Sequence, residues 1–598
     1  MGSMAPPEPD YDVLIIGAGL SGCYACYRMR QMGVKFKVLE TGTAVGGTWY
    51  WNRYPGARFD CESYTYGFFF SQEVLDEWKW SEHFAPQAET ERYINFICDK
   101  YSLKENMQFN TRVDKAHWLA DGRCWKLTDQ NGQTYTSRFL ITGIGLLSNP
   151  TLPNIPGVQD YKGNAFHTSR WPDNVKDFTG KDVGIIGIGA SAIQIIPEIA
   201  KTAKSLTIFQ RTPNWAIPLH NSKIGEEEME TIRKGYPELL KKIQANRMSF
   251  LHEGIDKSIW EASPEEREAF WERLYAQPGF GFWVSNYKEV LQDRAANALL
   301  SDFVAKKIRQ RVKDPWTADK LTPKTHGFGL RRVPMETHYY EAYNQPNVRL
   351  VDILETPIER ITENGVKTCQ EHVKLDTIIY ATGFSAITGA FEAIDFRGND
   401  NTLLADLWRE GPRTYLGLTV HHFPNMFMSI GPHQAYGNIP RSIEYAVGWI
   451  ADCIHYLRKE NITYIEATEE GVQKWTTHVH TLGKDLLSNT IDSWMTGVNK
   501  NVAHKQKRTI ARYSGHAVEF RKACDAVKGK GYQATINIQK AYSKKRGIKY
   551  THTSAKRRKE KKTTKKGEHQ TPFNTEKSSR KEGKKAWVCI LNTTYRVK

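Results

Sequence analysis

The chain has 598 residues, 40% apolar and 12% aromatic, enough for several cored domains rather than one. Its formal charge is +17, but residues 540–598 hold 20 Lys and Arg against 4 Asp and Glu, a surplus of 16 that leaves the rest at +1. These numbers exclude a basic, nucleic-acid-type body, and no apolar run reaches the roughly 18 residues of a membrane span. Met1 to Asp10 is Pro-rich and acidic, without the basic and apolar regions of a secretory signal. Nine scattered Cys point to reduced thiols and an intracellular, cytoplasmic location.

In chain order, the apolar run Tyr11–Ile16 reads as a strand buried in a parallel sheet. Gly17, Gly19 and Gly22 follow, then a helix to about Met32 and a second strand, Lys35 to Leu39, that ends at Glu40. The glycines permit a tight turn and close approach of backbone N–H groups to a pyrophosphate, and an acid at that strand end accepts hydrogen bonds from a ribose 2′-OH. Cys23 and Cys26 form a C-x-x-C inside this helix, read as packing rather than as a redox pair. The stretch Gly46-Gly47-Thr48-Trp49-Tyr50-Trp51-Asn52-Arg53-Tyr54-Pro55-Gly56-Ala57-Arg58-Phe59-Asp60 offers close backbone approach, flat stacking surface and one acid after an apolar run. Leu140 to Gly145 reads as a strand returning from this unit.

A second strand–loop–helix begins at Lys181–Ile186, with Gly187, Gly189 and then Ala190, Ser191 and Ala192 in the loop. Its following strand ends in Gln210-Arg211-Thr212, where the first unit has Glu40. A guanidinium there suits a ribose 2′-phosphate, so the pair of units implies FAD in the first and NADPH in the second. Helical spacing over 225–320, with Ser263-Pro264 as a helix start and a break near Asp314-Pro315, reads as a helical insertion. Arg331 and Arg332 stand together in a Gly-rich, otherwise apolar loop and are costly to bury without anions. Leu375 to Phe384 reads as a strand ending in Ala-Thr-Gly, and Asn438-Ile439-Pro440 as the opening of a late helix. His421, His422 and His433 show no ligand spacing with Cys or acids, so no metal is expected.

Between the two loops lies Tyr161-Lys162-Gly163-Asn164-Ala165-Phe166-His167-Thr168-Ser169-Arg170-Trp171-Pro172, read as a hinge strap. Its pattern, aromatic-x-Gly-x3-His-x3-Trp-Pro, and the Gly-Gly-x-Trp-x4-Tyr-Pro-Gly-x3-Asp of residues 46–60 resemble two signatures of the Baeyer–Villiger monooxygenases. The resemblance spans roughly residues 10–540. It implies an FAD- and NADPH-dependent enzyme that inserts one oxygen atom from O2 beside a ketone carbonyl, giving an ester or lactone through a flavin C4a-peroxide. The family role of the motif acid falls on Asp60, which would orient an active-site Arg. By position Arg331 would contact the NADPH 2′-phosphate and Arg332 would face the flavin, so Asp60 and Arg332 are the expected catalytic pair. Ser493 to Asn501 resembles the family's C-terminal loop, whose Trp, here Trp494, folds over NADP and substrate; Ala503-His504-Lys505 departs from the usual Gly-Lys. The implied qualifier is a fungal-type cycloalkanone monooxygenase.

The expected fold class is α/β: two Rossmann-like dinucleotide-binding domains with a helical insertion and a disordered basic C-terminal tail. The expected boundaries are 10–148 and 385–539 for FAD, 149–224 and 326–384 for NADP, 225–325 for the insertion and 540–598 for the tail. The expected cofactor-binding residues are Gly17, Gly19, Gly22, Glu40, Gly47, Thr48, Trp49, Tyr54 and Asp60 on one side, with Gly187, Gly189, Ala190, Ser191, Arg211, Thr212, Arg331 and Trp494 on the other. A monomer acting on a small ketone and O2, without membrane or nucleic-acid partners, is expected. A flavin N- or S-oxygenase and a nucleic-acid-binding protein acting through Lys556-Arg557-Arg558-Lys559 remain as alternatives.

Overall fold

The computed structural model describes residues 8–533 and 536–540. These lie within one compact unit, Met1–Ala541; the tail expected to be disordered falls outside the described residues, apart from the backbone of Lys540. The first sheet runs in the order Asp395–Arg397, Val113–Leu119, Cys124–Asp129, Thr134–Thr142, Tyr11–Ile16, Phe36–Leu39, Met107–Gln108, with Met426–Met428 also pairing along Thr134–Thr142. Tyr11–Ile16 lies parallel to both neighbours, with Val13 opposite Phe36 and Phe139. Val13, Leu14 and Ile15 are wholly buried, as a strand covered on both faces requires. The helices Leu20–Gln31 and Ile439–Lys459 lie over Val13 and Ile15, and Leu14 faces a second core with Trp125 and Phe396. Truncating such a side chain to Ala costs about 2–5 kcal/mol.

The second sheet is parallel throughout: Val348–Asp352, Ser205–Gln210, Asp182–Ile186, Thr377–Tyr380, Asn164–His167. The fold is therefore α/β with two Rossmann-like sheets, the first mixed, since Cys124–Asp129 runs antiparallel to both its neighbours, and the second parallel. Asn164–His167 pairs with Thr377–Tyr380, so part of the stretch read as a hinge strap is the edge strand of the second sheet. Phe166 and His167, on opposite faces at the end of that strand, are both buried.

Between these sheet strands, residues 226–321 form helices Glu226–Ala245, Pro264–Tyr275, Gly281–Val284, Arg294–Arg311 and Pro315–Leu321. Ser263 accepts from the Glu266 N–H at 3.2 Å in a capping box, with Pro264 at the first helical position. Asp314-Pro315 is a start as much as a break. The Asp314 carboxylate accepts from the Thr317 N–H at 2.8 Å and so caps the next helix.

Candidate functional site

At the first loop, sequence and geometry leave room only for glycine. A Cβ on Gly22 would lie 1.8 Å from the Gly17 carbonyl oxygen, and Gly17 itself has φ +96°. Gly47, at φ +54°, brings its backbone against Gly19, where an added Cβ would meet the Gly19 Cα at 2.7 Å. The glycines of the two sequence motifs thus face each other. Glu40 is buried and turns back onto the loop: its carboxylate accepts from the N–H groups of Ala18 and Gly42, each at 2.6 Å. Burial pushes this carboxyl above its ordinary range, and those N–H groups partly offset it. The helix that begins at Leu20 has no side-chain cap, so its first N–H groups remain for a ligand. Trp49 is buried, donating its indole N–H to the Tyr66 hydroxyl at 3.0 Å, whereas Thr48 is exposed. Cys23 and Cys26 are both buried, and Cys23 lies 3.4 Å from Cys98 rather than facing a partner within its own motif.

The second loop repeats the turn, with Gly187 at φ +99° against the Ala381 carbonyl. Gly189 differs: nothing lies within 4 Å of its added Cβ, and Gly189 and Ala190 are exposed. The helix Ala190–Ala200 again has no side-chain cap. Tyr54 crosses from the first motif to this helix, donating to the Gln194 side chain at 3.0 Å with Ser191 beside it. Gly56, at φ +79°, makes the crossing possible, since a Cβ there would meet the Gln194 carbonyl oxygen at 2.5 Å. The linker joins the same contact: the Arg170 guanidinium lies 4.2 Å from the Trp51 ring centroid, and Arg53 pairs with Asp173 at 2.6 Å.

Arg332 reaches this junction from residues 327–334 and donates to Asp60 at 2.5 Å. Asp60 is buried, with 12% of its side chain exposed, and Arg332 is half-buried at 30%. Asn214, which no sequence signal singled out, donates to the Arg332 carbonyl at 3.1 Å and lies 3.3 Å from His326. Burial beside Arg331 brings His326 down to about 3, so the ring next to the arginine pair stays neutral. Arg331 is half-buried and its Nε has no partner among the described residues. Burial lowers its pKa; Asp492 opposes that and Arg211 adds to it, so two guanidinium groups share a field without a full counter-charge. That is a donor set suited to a phosphate. Arg211 is exposed and Thr212 half-buried at the end of Ser205–Gln210.

His167 is buried away from any chemistry. Its Nδ1 accepts from the Ser169 N–H at 3.1 Å and its Nε2–H donates to the Gly383 carbonyl at 3.0 Å, tying the linker to the Ala-Thr-Gly strand end; burial lowers its pKa to about 4. Trp494, on a short helical turn, keeps 36% of its surface exposed. Its loop is anchored by Asn499, which donates to the Phe384 carbonyl at 2.9 Å, and by Lys505, which pairs with Glu392 at 3.0 Å. His421 and His422, without ligand spacing along the sequence, gain an acid in space: Glu466, distant in sequence, lies 3.2 Å from His421. The hydrogen bonds of Asn425 to the Ile465 backbone, not local spacing, bring it there.

Two Rossmann-like sheets, each opening on an uncapped glycine-loop helix, and an Arg–Asp pair at their junction define a two-dinucleotide flavoprotein. Residues 14–249 match a family model described as pyridine nucleotide-disulphide oxidoreductase. The 2-oxo-Delta(3)-4,5,5-trimethylcyclopentenylacetyl-CoA monooxygenase of Pseudomonas putida is 44% identical over 534 residues, 88% of this chain and 98% of that protein. Cyclohexanone 1,2-monooxygenase of an Acinetobacter species is 37% identical, over 89% of this chain and 98% of that protein. A crystal structure of OTEMO in complex with FAD and NADP superimposes with a TM-score of 0.86 at 43% identity, covering 89% of this chain and 100% of that one. The chain belongs to the Baeyer–Villiger monooxygenases, FAD- and NADPH-dependent oxidoreductases.

Proposed function

We propose that this Baeyer–Villiger monooxygenase acts on a small cyclic ketone and O2, giving a lactone, as an intracellular monomer. The observation that carries the reading is the Arg332–Asp60 pair at 2.5 Å, where the two glycine-loop units meet. The cyclopentenyl and cyclohexanone names of the relatives support the ring. Eight described cysteines are unpaired and seven of them buried, which supports a reducing compartment. No helix among the described residues is long and apolar enough to cross a membrane.

In this reading FAD lies on Gly17, Gly19, Gly22, Glu40, Gly47, Thr48 and Trp49, and supplies, once reduced by NADPH, the electrons that activate O2. The open Gly189–Ser191 turn takes the NADPH pyrophosphate, and Arg211, Thr212 and Arg331 take its 2′-phosphate. Tyr54 and Gly56 hold the two units at a fixed spacing. Arg332 stands half-buried, so its charge is screened less than in water. It stabilises the negative charge that develops on the ketone oxygen during addition. Asp60 fixes the guanidinium at one Nη, leaving its other N–H groups for the reacting atoms. Trp494 and its anchored loop limit water at the substrate side.

The test is to incubate the purified holoenzyme with NADPH, O2 and a panel of cyclic, linear and aryl ketones plus a sulfide and a tertiary amine. Mass spectrometry should find one added oxygen on cyclic ketones at the highest kcat/KM. Oxygen transfer confined to the sulfide or amine would replace this reading with a heteroatom oxygenase.

A further inference from the structure

We propose that His421, His422 and Glu466 form a binding site for one divalent transition-metal ion, Zn(II) or its Ni(II) and Co(II) analogues, on the first-sheet side of the molecule. One ligand atom from each of the three residues lies within 4.8 Å of the others. Ligands around a tetrahedral ion at about 2.0–2.1 Å stand about 3.4 Å apart, so the donors would close in by up to about 1.4 Å on binding. Two imidazoles and a carboxylate are a donor set that suits this class of ion.

The backbone has arranged the set in advance. Consecutive residues of an extended chain point to opposite faces, but His422 sits at φ +69°, and the two rings lie with centroids 4.1 Å apart. That left-handed turn is pinned on both sides: the His422 N–H donates to Glu466 at 2.7 Å and its carbonyl accepts from the Asn399 N–H at 2.7 Å. Surrounding groups orient the donors as outer partners of a metal site do. His421 Nδ1 lies 2.9 Å from the Ala467 carbonyl and 3.2 Å from the Glu466 carboxylate, and the ring's Nε2 has no hydrogen-bond partner among the described residues. Glu466 is buried, and its other oxygen accepts from the Tyr464 hydroxyl, which in turn accepts from Asn399 at 2.8 Å. The His422 ring nitrogens have no hydrogen-bond partner among the described residues, and His421 keeps 22% of its side chain exposed, an entry path for an ion. A bound ion would join the turn before Met426–Met428, a strand of the first sheet, to the strand Ile462–Ala467.

The experiment uses the full-length, untagged holoenzyme after dialysis against a chelator, titrated with Co(II) by visible absorption and with Zn(II) by calorimetry. About one ion per chain should bind, Zn(II) should displace Co(II), and the melting temperature should rise with metal. His422→Gln and His421→Gln should each weaken binding at least about 10-fold, Tyr464→Phe by about 10-fold, and His478→Gln not at all. Should a ligand variant not fold, the wild type still decides: Zn(II) should protect His421 and His422, and not His478, from diethyl pyrocarbonate, read by peptide mass spectrometry. Absence of Co(II) or Zn(II) binding, equal binding by His422→Gln, or protection at other histidines would overturn the site.

Discussion

The two glycine loops start from nearly the same sequence and end in different physical states. The first is closed on itself: Gly22 touches Gly17, Gly47 touches Gly19, and Glu40 is buried with both oxygens on loop N–H groups. The second is open, with Gly189 unobstructed, Ala190 exposed, and Arg211 and Arg331 lacking a full counter-charge. A cofactor that stays bound through turnover suits the closed, prepaid geometry, whereas one that exchanges suits an open turn and a waiting charge. The difference teaches that the fingerprint alone says dinucleotide, while its surroundings say which one and how tightly it is kept.

The largest expected effect comes from Gly22→Ala. Its Cβ would sit 1.8 Å from a backbone oxygen, so the loop must break, at a cost beyond about 3 kcal/mol, and the purified protein should carry little flavin by absorbance. The second loop already carries Ala192 at the place of Gly22; there Gly189→Ala, at the counterpart of Gly19, meets no atom within 4 Å and should fold with full flavin content, raising only the KM for NADPH. Equal flavin loss in both variants would break the comparison. Next is Arg332→Ala. Loss of a preorganised cation should lower ester formation about 100- to 1000-fold, while NADPH still bleaches the flavin in anaerobic stopped flow. Arg211→Ala removes a charge-assisted contact worth about 1.5–3 kcal/mol and should raise the KM for NADPH roughly 10- to 100-fold with the KM for NADH unchanged.

The smallest expected effect is a pH dependence at the linker between the loops. His167 is held neutral with its pKa lowered to about 4, against about 6.5 in the unfolded chain, so the unfolded state takes up the proton first. Its contribution, roughly 3 kcal/mol, is complete above about pH 6.5 and is lost as the pH falls toward 4. His167→Gln should flatten that part of the stability profile measured by urea unfolding, and an unchanged slope would show that other groups govern it.

Local chemistry made much of this legible in order along the chain. Glycine positions are constrained by backbone approach, which depends on the strand–turn–helix itself, so both loops could be read before any tertiary contact was known. The capping box at Ser263 is legible for the same reason, and so is the break near Asp314-Pro315, between helices ending at Arg311 and starting at Pro315, although the Asp314 cap of the second helix goes unread. The edge-strand role of Asn164–His167 was hidden, since a four-residue strand gains its register from Thr377–Tyr380, more than two hundred residues away. Asn214 and His326 were invisible as supports of Arg332, because a polar side chain carries no sign of which carbonyl or ring it will meet.

What the sequence determined by itself was the class: two buried strands, two glycine turns, and an acid set against a basic end, each a consequence of neighbours within about thirty residues. What only the tertiary structure decided was convergence. Asp60 and Arg332 are 272 residues apart, and Tyr54 meets Gln194 across 140. Glu466 joins His421 and His422 because the chain returns to the first sheet near its end. Such meetings depend on strand order and sheet packing, which no local spacing encodes.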